Sequence, residues 1–227
     1  MKNRCGKMFN LAFSFVLAPL VLPLSASAQT GDVPPKAAQI SGEIGQVELG
    51  PIFGQRFLCV EHAFGELDYA GDALGTDCLV SGGVEQDYLK PGKWTGFPKV
   101  YRTDGRSNDD WYSYSEDVLS PISGVVVAAI VNETENAPGT LGQPPATGLR
   151  ILTADGVVVS VGHLRNLRFS KGDKVRVGEV LGKVGNNGQG RAPGVHIGAY
   201  RERDAVPLQI RWNLRLMAAA RRAAGVP

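Results

Sequence analysis

Short apolar runs rich in valine, isoleucine and leucine, divided by glycine, proline and asparagine, dominate the second half of this chain. Val118–Val131 reads VLSPISGVVVAAIV, where Pro121 and Gly124 set a turn and the β-branched run behind them predicts a buried strand. Leu149–Leu152 and Val157–Val161 flank Thr153-Ala154-Asp155-Gly156, and Asp-Gly between two such runs is a hairpin signal. Further strands are predicted at 174–177, 179–184, 195–200 and about 207–212, with Gly185-Asn186-Asn187-Gly188 as a tight turn. Only 212–224 has helical composition. Strands this short and evenly spaced do not suit a parallel βαβ sheet. The predicted class is therefore mainly β, an antiparallel sheet or sandwich of short strands with long loops.

The first half is less regular. Residues 53–80 hold short apolar stretches divided by Gly, Asp and Glu, which predicts strands and turns. Residues 82–108 and 132–148 read as long loops, and irregular segments of the first one's length are usually functional or poorly ordered. The expected organisation is a flexible lead-in at 29–43 and one domain at 44–227, with a motif-bearing core at 118–211.

Residues 1–28 stand apart. Lys2, Arg4 and Lys7 precede an apolar run from Leu11 to Leu24, and Ala26-Ser27-Ala28 offers a small-residue cleavage pattern. This is the pattern of a secretory signal peptide, so a periplasmic or secreted protein with no membrane anchor after cleavage is expected. Removing it leaves 24 − 3 = 21 basic against 22 acidic residues, a balance that argues against a nucleic-acid partner. It also removes Cys5 and leaves Cys59 and Cys78, an even pair expected to form a disulfide in an oxidising compartment.

Two of the three histidines, His163 and His196, lie in the glycine-framed stretch SVGHLRNLRFSKGDKVRVGEVLGKVGNNGQGRAPGVHIGAY at 160–200, and the pattern places both on strands. Strand residues two apart share a face, so a His-x-His pair aims both imidazoles into one groove. A zinc hydrolase needs about three protein ligands, an open position for water, and nearby groups that move protons and stabilise an oxyanion.

The segments SPISGVVV (120–127), VSVGHL (159–164), KGDKVRVGEVLGKVGNNG (171–188) and APGVHIGAY (192–200), in that order, resemble the lysostaphin/LytM-type zinc metallopeptidases, which share the duplicated hybrid motif fold. The resemblance implies zinc as cofactor and peptidoglycan peptides as substrate. It places His163 at the family's catalytic histidine and His196 at the zinc-binding second histidine of Pro-His-Leu-His, with Gly194 where another catalytic histidine stands. An alternative frame equates His196 with the first histidine and Gly198 with the second.

The family's upstream His-x-x-x-Asp ligands have no full match. Ala73-Leu74-Gly75-Thr76-Asp77 keeps the aspartate, His62-Ala63-Phe64-Gly65-Glu66 keeps the histidine, and Asp109 and Asp110 lie at the usual distance with Gly105 or Arg106 in the histidine position. These alternatives stay open in the sequence. A Cys59–Cys78 bridge would bring His62 beside Asp77, and with His196 complete a metal site, leaving His163 as the catalytic histidine. The expected function is an exported zinc metalloendopeptidase with an incomplete motif. The alternative is an inactive relative that binds cell-wall peptide or regulates another cell-wall hydrolase. A biotinyl or lipoyl carrier domain shares the Gly-Asp-x-Val turn, but no hairpin here displays the lysine it needs.

Overall fold

The computed structural model describes residues 33–82 and 98–226. The expected signal peptide and most of the first long loop lie outside the described residues. Among the described residues no helix is long and apolar enough to cross a membrane.

In chain order the elements are β1 (Gln46–Leu49), β2 (Phe57–Glu61), β3 (Thr76–Val80), β4 (Asp117–Leu119), β5 (Gly124–Ile130), β6 (Gly148–Leu152), β7 (Val157–Gly162), β8 (Leu164–Arg165), β9 (Lys174–Val175), β10 (Val180–Val184), β11 (Val195–Arg201), β12 (Pro207–Trp212) and α1 (Leu214–Ala223). The fold is mainly β, as its pattern predicts. The strand predicted at 174–177 is shorter because Arg176 to Glu179 turn back, with the Glu179 carboxylate accepting from the Arg176 N–H at 2.8 Å and Gly178 at φ +87°. Asn213 caps α1 by accepting from the Leu216 N–H.

The larger sheet runs β1-β12-β11-β7-β6-β5-β9, with β3 also pairing β11 and β2 lying outside β3. A three-stranded sheet, β4-β10-β8, completes the architecture. One pair departs from the antiparallel pattern, since β1 runs parallel to β12. Strands so far apart in sequence are not bound to hairpin geometry. The Asp155-Gly156 hairpin joins β6 to β7 as its sequence predicts, with Gly156 at φ +80°.

Both sheets contribute to one buried core. Val126, Ile151, Val159, Val161 and Ile197 from the large sheet pack in the same cluster as Val118, Leu164, Leu181 and Val184 from the small one. Burying each such side chain stabilises the fold by about 1.5–3 kcal/mol. Alternation along β7 and β11 sends these apolar side chains inward and leaves the opposite face for chemistry.

The edge is different. β2 pairs with β3, and its Leu58 and Val60 are 50% and 69% exposed. A Cys59–Cys78 disulfide joins the two strands at a directly paired position.

Candidate metal centre

Three neighbouring ladders bring the histidines together. On β11, His196 is paired with Asp77 of β3 on one side and with Gly162 of β7 on the other. One strand further out, Val60 of β2 is paired with Asp77. Paired residues share a face and successive ones alternate, so Val60, Asp77 and His196 project to one side while Cys59 and Cys78 project to the other. His62 follows β2 in the same parity as Val60, and its backbone N–H donates to Gly75 O at 2.9 Å.

The Asp77 carboxylate bridges the two imidazoles. Its Oδ1 lies 2.8 Å from His196 Nδ1 and its Oδ2 lies 3.2 Å from His62 Nε2. Each ring turns its second nitrogen to another carboxylate: His196 Nε2 is 3.2 Å from Asp72 Oδ1, and His62 Nδ1 is 3.5 Å from Glu66 Oε1. The His196 side chain is only 13% exposed. Gly75 makes room for it, since a Cβ there would stand 2.8 Å from the ring.

Burial opposes protonation of His196, but the neighbouring carboxylates of Asp72 and Asp77, the latter hydrogen-bonded to Nδ1, outweigh it and raise its pKa to about 10. Burial acts to raise the Asp77 pKa, and the bond to His196 with the charges of the surrounding histidines overrides it and holds the carboxyl low. The cluster is therefore a compact set of paired charges.

It also fits a metal ion. One donor atom from each of His62, Asp77 and His196 lies within 4.8 Å of the others, and two imidazoles with one carboxylate are ligands that zinc accepts. Metal-ligating histidines almost always direct their other nitrogen to a carboxylate, carbonyl or water. Asp72 and Glu66 stand in that relation to His196 and His62. His196 Nε2 is buried and, despite its closeness to Asp72, lacks a hydrogen bond of good geometry. A small shift of the ring towards an ion on its Nδ1 side would leave Asp72 as the natural partner of Nε2.

His163 borders the centre, its ring centroid 6.4 Å from that of His196 and nearly perpendicular to it. The sequence places His163 within a strand, but it occupies a left-handed position, φ +62°, between β7 and β8. That kink lets the ring lie beside His196 although Gly162 holds the paired position. Its Nδ1 is 2.8 Å from the Asn187 carbonyl. The carbonyl only accepts, so the proton sits on Nδ1 and Nε2 keeps its lone pair. Burial and the neighbouring His196 lower its pKa, which favours the neutral ring.

Gly194, just before β11, is two residues from His196. A Cβ there would approach Leu79 Cδ2 to 2.8 Å and the Cys78 carbonyl to 3.1 Å. Leu79 thus fills the direction in which a side chain at 194 would project.

Of the three upstream segments, two contribute: the aspartate comes from 73–77 and the histidine from 62–66. Ala73 is fully buried, with its N–H bonded to Tyr69 O in a turn. Asp110 accepts from the Thr103 and Gly105 N–H groups at 2.8 and 2.5 Å, and Asp109 lies in the adjoining 3-10 turn at Asn108–Asp110, so that segment closes its own loop. Sequence reasoning missed Asp72 and the Asn187 carbonyl as neighbours of the histidines. Asp72, in Gly-Asp-Ala-Leu-Gly, carries no motif, and only the pairing of β3 with β11 reveals its position.

Residues 111–208 match the model of peptidase family M23. Among solved structures, the chain is similar to the M23 metalloprotease pseudoalterin from the deep sea (16% identity, 72% of this chain and 75% of that one, TM-score 0.42). It is also similar to the lysostaphin catalytic domain of Staphylococcus simulans (18%, 54% and 90%, 0.35) and to a chain of the SpoIIQ-SpoIIIAH pore-forming complex (24%, 59% and 79%, 0.35). No curated protein matches. The family match spans the strands that carry His163 and His196, so residues 111–208, a little under half of the chain, are similar to peptidase family M23.

Proposed function

We propose that the protein is an exported, zinc-dependent peptidase of the M23 type that acts on peptidoglycan peptides, with His163 as its sole catalytic histidine. The observation that carries this reading is the convergence of His62, Asp77 and His196 from three separate chain segments. Zinc, when bound, polarises a scissile carbonyl and makes water acidic enough to attack at neutral pH. His62, Asp77 and His196 would hold it, with Asp72 and Glu66 orienting the two imidazoles. The free Nε2 of His163 is placed to take a proton, and the resulting imidazolium to stabilise an oxyanion or protonate the leaving amine.

A second reading, a catalytically inactive module that keeps the groove and binds cell-wall peptide or regulates another cell-wall hydrolase, is favoured by one observation. Gly194 stands where the family's other catalytic histidine belongs, and Leu79 fills the adjacent space. Zinc content of the purified protein, measured beside cleavage of a purified peptidoglycan stem peptide by mass spectrometry, separates the two. About one zinc per chain with cleavage that His163→Ala abolishes supports the peptidase. One zinc with no cleavage at any peptide concentration contradicts the peptidase, and no zinc with no cleavage points to the binding module.

A further inference from the structure

We infer that the Cys59–Cys78 disulfide is a redox control on the metal site, which assembles only when the two thiols are oxidised. This inference rests on the metal-binding reading above and adds its regulation.

The three proposed ligands are not held equally. His196 lies on β11, paired on both sides, and Asp77 lies on β3, between β11 and β2. His62 follows β2, whose pairing among the described residues is to β3 alone. Leu58 and Val60, on the metal-facing side of β2, are half and mostly exposed. On that side β2 has little apolar burial to hold it. Its hold on the fold comes from the opposite face, where Phe57 packs edge-on against Phe53 and Trp212, and from the β3 ladder.

The disulfide lies at the centre of this attachment. Cys59 is paired with Cys78, Asp77 is the residue before Cys78, and His62 is three residues beyond Cys59. The bridge therefore fixes the register that sets the His62 imidazole against Asp77. Because the sulfurs project to the opposite face from Asp77 and His196, they shape the site without competing for the ion. Cys78 is fully buried, whereas Cys59 is partly exposed and lines a groove with Phe57, Glu61, Leu74 and Trp212, which offers a route to the bond.

The exchange is balanced. A thiolate of an external dithiol attacks one sulfur and the mixed disulfide resolves, so the S–S bond gains two electrons and two protons to give two thiols while the dithiol becomes a disulfide. In the reverse direction an external protein disulfide oxidises the pair. The reduced chain keeps Asp77 and His196 and loses the constraint on His62, which leaves two of three ligands in place.

The test is zinc affinity of the full chain, by competition with a chromophoric chelator, in the oxidised form and after reduction with a phosphine that binds zinc weakly. Wild type and the His62→Ala, Cys59→Ala/Cys78→Ala and combined triple variants are compared, with circular dichroism recorded on each. Reduction is expected to weaken zinc binding by about 100-fold or more, beyond what loss of an orienting partner costs, while the β-sheet signal persists. The double cysteine variant should match the reduced wild type, and the triple variant should bind no worse than His62→Ala. Equal affinity of oxidised and reduced protein overturns the inference and leaves the metal site standing. Additive losses in the triple variant, or loss of the sheet signal on reduction, also overturn it, since the bridge would then support the fold generally. No zinc binding by the oxidised protein overturns both readings.

Discussion

Asp77 and His196 face each other across the β3–β11 ladder, with carboxylate oxygen and Nδ1 2.8 Å apart. They are 119 residues apart in the chain, and the ladder that joins them also fixes the distance of His62 and His163 from the same point. The geometry of the centre is thus a property of strand register, and several measurable consequences follow from it.

Asp72 and Glu66 should act through the imidazoles they face. Asp72→Asn and Glu66→Gln each remove a charge and keep the side chain's shape, so zinc affinity should fall by about 10- to 100-fold while stoichiometry at saturating zinc stays near one. Titration with a competing chelator reads both quantities. Unchanged affinity in both variants would show that neither carboxylate orients a ligand.

Restoring the family's other histidine should require two changes. Gly194→His alone drives a side chain into Leu79, and overpacking of this kind costs about 1–3 kcal/mol. Gly194→His with Leu79→Ala should recover the single variant's loss in thermal stability. It should also raise any peptide turnover above that of the wild type. If the single variant is as stable as the wild type, the space at 194 is open after all.

The fold was legible where local rules sufficed. The Asp155-Gly156 hairpin and the β-branched runs each carry their own signal, so β5, β6, β7, β10 and β11 fall where the pattern puts them, whereas the turn read at Gly185–Gly188 lies further on, where the Gly190 N–H donates to the Asn187 carbonyl. His163 and His196 could be singled out because fixed turns surround them. His62 was harder, since its partner Asp77 is 15 residues away and only a cross-strand bond relates them. The cysteines supplied the clue to that pairing. Asp72 had no comparable marker, because its role depends on where β11 comes to rest. The left-handed kink at His163 was hidden for a related reason: a histidine ending a strand and one just past its end look alike in sequence.

Stability of the metal-free protein should change with pH in a defined sense. For His196 the folded pKa, about 10, lies above the ordinary 6.5, so its contribution is complete below 6.5 and is lost as pH rises towards 10. His163, held low, acts oppositely, because the unfolded ring takes up a proton as pH falls through 6.5. The lowered Asp77 contributes above the ordinary 3.8 and loses its effect as pH drops through the folded value. The cluster therefore supports the metal-free fold best near pH 6.5. Zinc must displace the His196 proton, so the rise in melting temperature on adding zinc should grow from pH 6.5 to 9. Melting curves with zinc and with chelator across that range check this, and a zinc effect that shrinks with pH would count against His196 as a ligand.

The central claim, that His62, Asp77 and His196 form one metal centre, is tested most directly by anomalous diffraction at the zinc edge from crystals of the oxidised protein grown with one equivalent of zinc. The predicted result is a single zinc about 2.0–2.2 Å from His62 Nε2, an Asp77 oxygen and His196 Nδ1. A zinc held without His62, or no ordered zinc at this position, would contradict it.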